Sequence, residues 1–296
     1  MESGPLISFG LPLSLFIIMV GIGMTLTLRD FHQVTVNPRG MIVGSIAQIL
    51  IMPLVALALA GALGLAPAIA VGLVIIAACP GGTTSNLFVL LARGNVALSI
   101  LLTVSASLIT IISLPFFTNY ALGLYFGTSA EISLPVGKTI VMLVGVVLLP
   151  VALGMLVRTR APALAIRAEK IVSLFGGVVL ALLIVGLLYG IRDRIGELAA
   201  QAGLAALLLN LGGIVIGVVT SRMAGLSQRE SLAVAMELGI KNGTIALMVT
   251  LTLLESSEMS IPAAVYGVLM FPIGFLLVTY GRKVIPALPK SLAEPA

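Results

Sequence analysis

Apolar runs, several of them longer than roughly 18 residues, alternate along this chain with short loops that hold nearly all of its charge. A run of that length satisfies its backbone in lipid only as a helix, because no water is available to pair a free N–H or C=O. With 9% charged residues, against about 25% in a soluble domain, the chain cannot cover a water-facing surface. The expected fold class is an all-α polytopic membrane protein. The single cysteine, Cys79, excludes an internal disulfide framework and a cysteine-based metal cluster. The one histidine, His32, falls in a loop, which argues against a His-rich metal site, and tryptophan is absent. The pI near 9.7 does not point to nucleic acid. The basic residues are scattered in loops as topology signals rather than gathered on one face.

Nine transmembrane helices are predicted, over 6–28, 40–63, 66–92, 96–118, 134–157, 169–191, 199–221, 228–254 and 259–281. The first run begins at once and lacks a small-residue cleavage pattern, so it is read as a span and not a signal peptide. With the N-terminus outside, the inner loops hold Arg29, Arg39, Arg93, Arg158, Arg160, Arg167, Lys170, Arg222, Arg229, Arg282, Lys283 and Lys290. The outer segments hold only Lys138, Arg192 and Arg194. A bias of 12 to 3 places the C-terminus in the cytoplasm. A cell inner membrane is the expected location.

Residues 64–91 lie over 225–252 at a constant offset of 161, with Gly64-Leu65 on Gly225-Leu226 and Gly82-Thr83 on Gly243-Thr244. Chance similarity between two apolar segments is the competing reading. Placement favours a true repeat, because both segments contain an interruption and occupy the third and eighth spans. Five spans separate them, so the copies cross in opposite directions. Inverted repeats with two crossing discontinuous helices are the usual architecture of secondary transporters, with the site where the breaks meet.

Glu237 is the one acid placed deep within a span. A charge there costs a few kcal/mol and is a functional candidate by default. Lys241 follows four residues later, which on an unbroken helix puts both on one face. A self-neutralising buried ion pair is the structural alternative. The other interruption reads Cys79-Pro80-Gly81-Gly82-Thr83-Thr84-Ser85-Asn86. Proline removes a backbone donor and the glycines loosen the helix. Carbonyls before the break suit a cation, and free N–H groups after it suit an anion. Ser99 and Thr103, four apart, add two hydroxyls on one face. Ordinary helix packing also accounts for such hydroxyls, and interhelical hydrogen bonding would account for the mid-span Gln48.

At these residues the sequence resembles the bile acid:sodium symporter family. The resemblance runs over nearly the whole chain. It is most specific at Cys79–Asn86, at Leu91-Ala92-Arg93-Gly94-Asn95-Val96-Ala97-Leu98-Ser99 and at Glu237-Leu238-Gly239-Ile240-Lys241-Asn242. It implies a core domain beside a panel domain, with alternating access by their relative motion. On that reading, residues 1–65 hold panel helix 6–28 and the first core helix, 40–63. Residues 66–118 hold core with broken helix 66–92, and 134–191 hold panel helices. Residues 199–281 hold core with broken helix 228–254, and 282–296 form a cytoplasmic tail. Some bacterial members have ten spans, and this chain resembles the nine-span form that lacks the first.

The family's first sodium site implies Ser85, Asn86, Ser99, Thr103 and Glu237, all of the expected types. The second implies Gln48, Glu237, the carbonyls of Leu238 and Ile240, and glutamine at position 241. Here that position is Lys241. An ammonium occupies the volume and charge of a bound cation and repels one at short range. Lys241 is therefore read as standing in for the second sodium, with coupling to one sodium, or to a proton if Lys241 titrates. Sodium is the expected coupling ion, with no organic cofactor. The expected cargo is a small organic anion, bound by Thr83, Thr84 and Asn242. A proton-coupled or sodium-independent carrier of the same fold is the alternative. The family name does not choose the ligand, and a monomer is expected.

Other classes fit less well. A prenyltransferase wants clustered aspartates, yet Asp30 and Asp193 both fall in loops. A serine protease or metalloprotease wants a histidine base or ligand set. A channel wants a continuous polar pore, whereas the polar residues here gather at one depth.

Overall fold

The computed structural model describes residues 10–27, 38–127, 133–190 and 195–286. His32, Asp30 and Asp193 lie outside them, as does most of the tail. The described elements are helices: α1 Leu11–Thr25, α2 Pro38–Ala62, α3 Pro67–Ala78, α4 Thr83–Leu91, α5 Val96–Phe126 and α6 Val136–Arg160. They continue with α7 Pro162–Gly190, α8 Ile195–Met223, α9 Gln228–Gly239, α10 Gly243–Leu253 and α11 Ser257–Val284.

Among the described residues, five helices (α2, α5, α6, the Ala202–Met223 part of α8, and α11) are long and apolar enough to cross a membrane. The expected spans 66–92 and 228–254 are each two shorter helices, because each is interrupted at its centre. Other boundaries move as well. The helix expected over 96–118 continues through Pro115 to Phe126, and the one expected from 169 begins at Pro162. Apolar periodicity reports where lipid begins, not where the backbone stops being helical.

Local chemistry explains the interruptions. Proline at the first position starts α3, where its missing N–H costs nothing. Cys79 then turns extended (ψ 149°), and Gly82 is the N-cap of α4. In the second break Ile240 is extended (φ −117°, ψ 100°), and Asn242 caps α10 by accepting from Ile245 N at 3.2 Å. Extended backbone inside a helical bundle leaves polar groups that must find partners. The two breaks supply them to each other: Gly81 and Lys241 form an antiparallel bridge, and Asn242 N donates to Pro80 O at 2.8 Å.

The turns that lead into α3 and α9 are alike. Leu65 N bonds Ala60 O and Leu226 N bonds Ser221 O, with Gly64 (φ 58°) and Gly225 (φ 71°) at the left-handed position of each turn. Both close their helix with the same cap, for which glycine carries no Cβ penalty.

Two sets of helices pack chiefly among themselves. Helix α1 lies on α6 and α7, while α3 packs on α2, α5 and α11, and α8 on α9 and α11. Gly23 of α1 and Gly154 of α6 meet so closely that a Cβ on Gly154 would lie 2.7 Å from Gly23 Cα. Small residues permit such approaches where no water drives association. At one end of the molecule, Arg229 Nη1 donates to Arg93 O (3.0 Å), Arg93 Nη1 to Ile285 O (3.0 Å) and Arg282 Nε to Leu91 O (2.8 Å). These bonds tie together the end of α4, the start of α9 and the end of α11.

Candidate functional site

Glu237 sits two residues before the end of α9 and is fully buried. Its Oε1 accepts from Ser85 Oγ at 2.5 Å and Ser99 Oγ at 2.6 Å, and its Oε2 accepts from Thr103 Oγ1 at 2.8 Å. The same hydroxyls have further acceptors. Ser85 Oγ lies 2.6 Å from Gly82 O, and Ser99 Oγ and Thr103 Oγ1 lie 2.7 and 3.4 Å from Asn86 Oδ1. All five residues expected for the first ion site thus converge, brought by α4, α5 and α9. The break after Pro80 lets α4 approach this closely: a Cβ on Gly81 would overlap Glu237 Oε2.

The proton count of this cluster is informative. Three hydroxyls carry one proton each, yet they make six oxygen–oxygen contacts of 2.5–3.4 Å. Three contacts therefore have no hydrogen between the oxygens. Crowded hard oxygens with one carboxylate are the donor set of a small hard cation. No cluster of three or more His, Cys, Asp or Glu suited to a transition metal occurs among the described residues.

Lys241 departs from the helical spacing. The break falls between Glu237 and Lys241, so the two do not share a helix face. Lys241 is fully buried, and its Nζ donates to Cys79 O at 3.1 Å, at the carbonyl end of α3. The ammonium therefore occupies the negative end of a half-helix dipole rather than a direct ion pair with Glu237.

The remaining expected residues separate into two groups. Thr83, Thr84 and Asn242 line one small cavity of about 20 Å³ together with Lys241, where the starts of α4 and α10 meet. Gln48 lies in a π-helical turn, Ala47–Ile51, that packs on α3 and α9. It is buried, and neither of its amide atoms has a hydrogen-bond partner among the described residues. The structure does not join Gln48 to Lys241 by a hydrogen bond. The Leu238 carbonyl faces Gly213 of α8, where a Cβ would lie 2.8 Å from it.

Two residues were not anticipated. Asn210 Nδ2 of α8 and Tyr266 OH of α11 both donate to Gly239 O at 2.8 Å. That carbonyl ends α9 and loses its intrahelical partner at the break, because Gly243 N turns to Lys241 O. Asn210 carries the signal that marked Gln48, an amide in mid-span. Tyr266 is a mid-helix phenol with no comparable motif.

The Sodium Bile acid symporter family profile matches residues 12–197, more than half of the chain. An uncharacterized sodium-dependent transporter of Bacillus subtilis, YocS, is 32% identical over 282 residues, covering 94% of this chain and 84% of that protein. A probable chloroplastic sodium/metabolite cotransporter of Arabidopsis thaliana is 30% identical, covering 92% of this chain and 66% of its own length. The ileal sodium/bile acid cotransporter of Oryctolagus cuniculus is 29% identical over 78% of this chain and 66% of that protein. The chain belongs to the sodium bile acid symporter family.

Proposed function

We propose that this protein is a secondary transporter that couples sodium entry to the uptake of a small organic anion by alternating access. The proton-deficient oxygen cluster on Glu237 carries the reading. A sodium ion among Ser85, Asn86, Ser99, Thr103 and Glu237 would turn three repulsive oxygen contacts into shared coordination. The names of the relatives, sodium-dependent or sodium cotransporters, support the same ion. Sodium here is cargo and coupling ion.

The organic anion is assigned to the starts of α4 and α10. Their N-terminal dipole ends meet at Thr83, Thr84 and Asn242, and the Lys241 ammonium adds positive charge. Lys241 also supplies a fixed cation at the carbonyl end of α3, so one sodium accompanies each cycle and the Gln48 position stays without a second. A nine-span inverted repeat, with α1, α6 and α7 as panel and the remaining helices as core, is supported by the matching turns at Gly64 and Gly225 and by the packing partners. A cytoplasmic C-terminus is supported by Arg93, Arg229 and Arg282 gathering at one end. The protein is taken to act as a monomer in the inner membrane.

The same proton count favours one alternative. A proton on Glu237 would fill one of the bare contacts, so proton coupling is the second reading. Purified protein in liposomes separates the two. Uptake of labelled organic acids should follow an imposed sodium gradient at constant pH and disappear in Glu237→Gln. Uptake driven by a pH gradient alone, without sodium, would overturn sodium coupling.

A further inference from the structure

We infer that Ile18 and Met270 set the size limit for the carried acid, Ile18 strictly and Met270 adaptably. This rests on the reading that the starts of α4 and α10 hold its carboxylate. The cavity there is otherwise walled by threonine, asparagine, lysine and glycine; its two apolar side chains are Ile18 from α1 and Met270 from α11. Both are buried, at 5% and 1% exposure. At about 20 Å³ the space holds one water-sized group, enough for a carboxylate oxygen and no carbon chain. An acid seated with its carboxylate against the polar walls brings its first carbons against Ile18 and Met270, the apolar side chains of the lining.

The two side chains resist differently. Isoleucine is β-branched and stiff at χ1. Its helix is also held against α6 by the close approach of Gly23 and Gly154, so it cannot withdraw from the cavity independently of α6. Methionine is unbranched, with three rotatable bonds, and refills space readily. Truncation at position 18 should relax chain-length selectivity more than truncation at 270.

The test uses the full chain in liposomes with an inward sodium gradient. Labelled propionate, butyrate, hexanoate and octanoate serve as probes, with cholate, which keeps the carboxylate, as the bulky extreme. In Ile18→Ala, kcat/KM for hexanoate relative to propionate should rise about tenfold or more, the scale of a methylene-sized change in a pocket. Ile18→Val should give a smaller rise in the same direction, and Met270→Ala a rise below that of Ile18→Ala. The valine variant keeps the comparison intact if the alanine variant folds poorly, which thermal unfolding in detergent reveals. Sodium-driven uptake with an unchanged ratio in both position-18 variants would overturn the inference and leave the transport reading standing. Wild-type uptake of cholate as efficient as that of propionate would overturn it as well. If sodium drives none of these acids in the wild type, the transport reading falls and the inference with it.

Discussion

Replacing Gly81 by alanine is the most specific test of the ion cluster, because its neighbour Gly82 provides a built-in control. A Cβ at position 81 would overlap Glu237 Oε2 and lie 3.2 Å from Ser85 Oγ. The carboxylate must rotate or retreat, and the first hydrogen bond to break is that from Thr103 Oγ1 to the same oxygen, 2.8 Å long. A displaced carboxylate can no longer reach an ion held by Ser85, Ser99 and Thr103, and losing one contact to a charged group from the bound state, about 1.5–3 kcal/mol, should raise sodium half-saturation about 10- to 150-fold. At position 82 the added Cβ meets only Asn242, at 3.8–3.9 Å, which is ordinary van der Waals separation. Gly82→Ala should therefore move sodium half-saturation by no more than about threefold, within the usual range of a tolerated substitution. The assay is sodium-dependent uptake in liposomes, paired with the sodium-induced rise in melting temperature of the detergent-solubilised protein, which reads binding without turnover. Equal effects of the two substitutions, or a Gly81→Ala protein with wild-type sodium affinity, would refute the assignment of Glu237 to the ion.

Other substitutions probe the remaining parts. Lys241→Gln removes the fixed cation at Cys79 O, and the sodium Hill coefficient should change from near one to near two; a wild-type value already near two would sink the single-sodium reading. Tyr266→Phe and Asn210→Leu each leave Gly239 O with one donor, and each should cost about 1 kcal/mol in unfolding measurements. The double variant leaves the buried carbonyl with neither donor and should cost more than the sum; strict additivity would argue against a shared acceptor. Asn242→Ala should weaken binding of the organic anion more than that of sodium, since Asn242 lines the cavity but not the oxygen cluster. Equal loss of both would count against the anion assignment.

Much of this arrangement was legible in sequence. Long apolar runs with charge confined to loops identify a helical membrane protein, because such runs match the bilayer thickness and leave too little polar surface to face water. Proline and paired glycine mark the first break, since they remove a donor and lower the cost of leaving the helix. Glu237 stood out by position alone, as a carboxylate where ionisation is costly. The family motif supplied Ser85, Asn86, Ser99 and Thr103; three of them donate to its carboxylate, and the Asn86 amide oxygen meets it only through the Ser99 and Thr103 hydroxyls.

Tertiary structure decided what periodicity cannot express. Spacing put Lys241 on the face of Glu237, but that rule presumes a continuous helix. With the backbone extended from Ile240 and bridged to Gly81, the side chain leaves that face and finds the carbonyl end of α3. Asn210 and Tyr266 meet on Gly239 O from helices far apart in sequence, and Ile18 reaches the cavity from the first helix. Those meetings depend on helix packing and rotation, for which a single apolar sequence carries little signal, since lipid and protein neighbours are both apolar. The residues of the cluster on Glu237 could be named from the family motif; how the lysine, the carbonyl clamp and the apolar wall surround it follows only from how the helices pack.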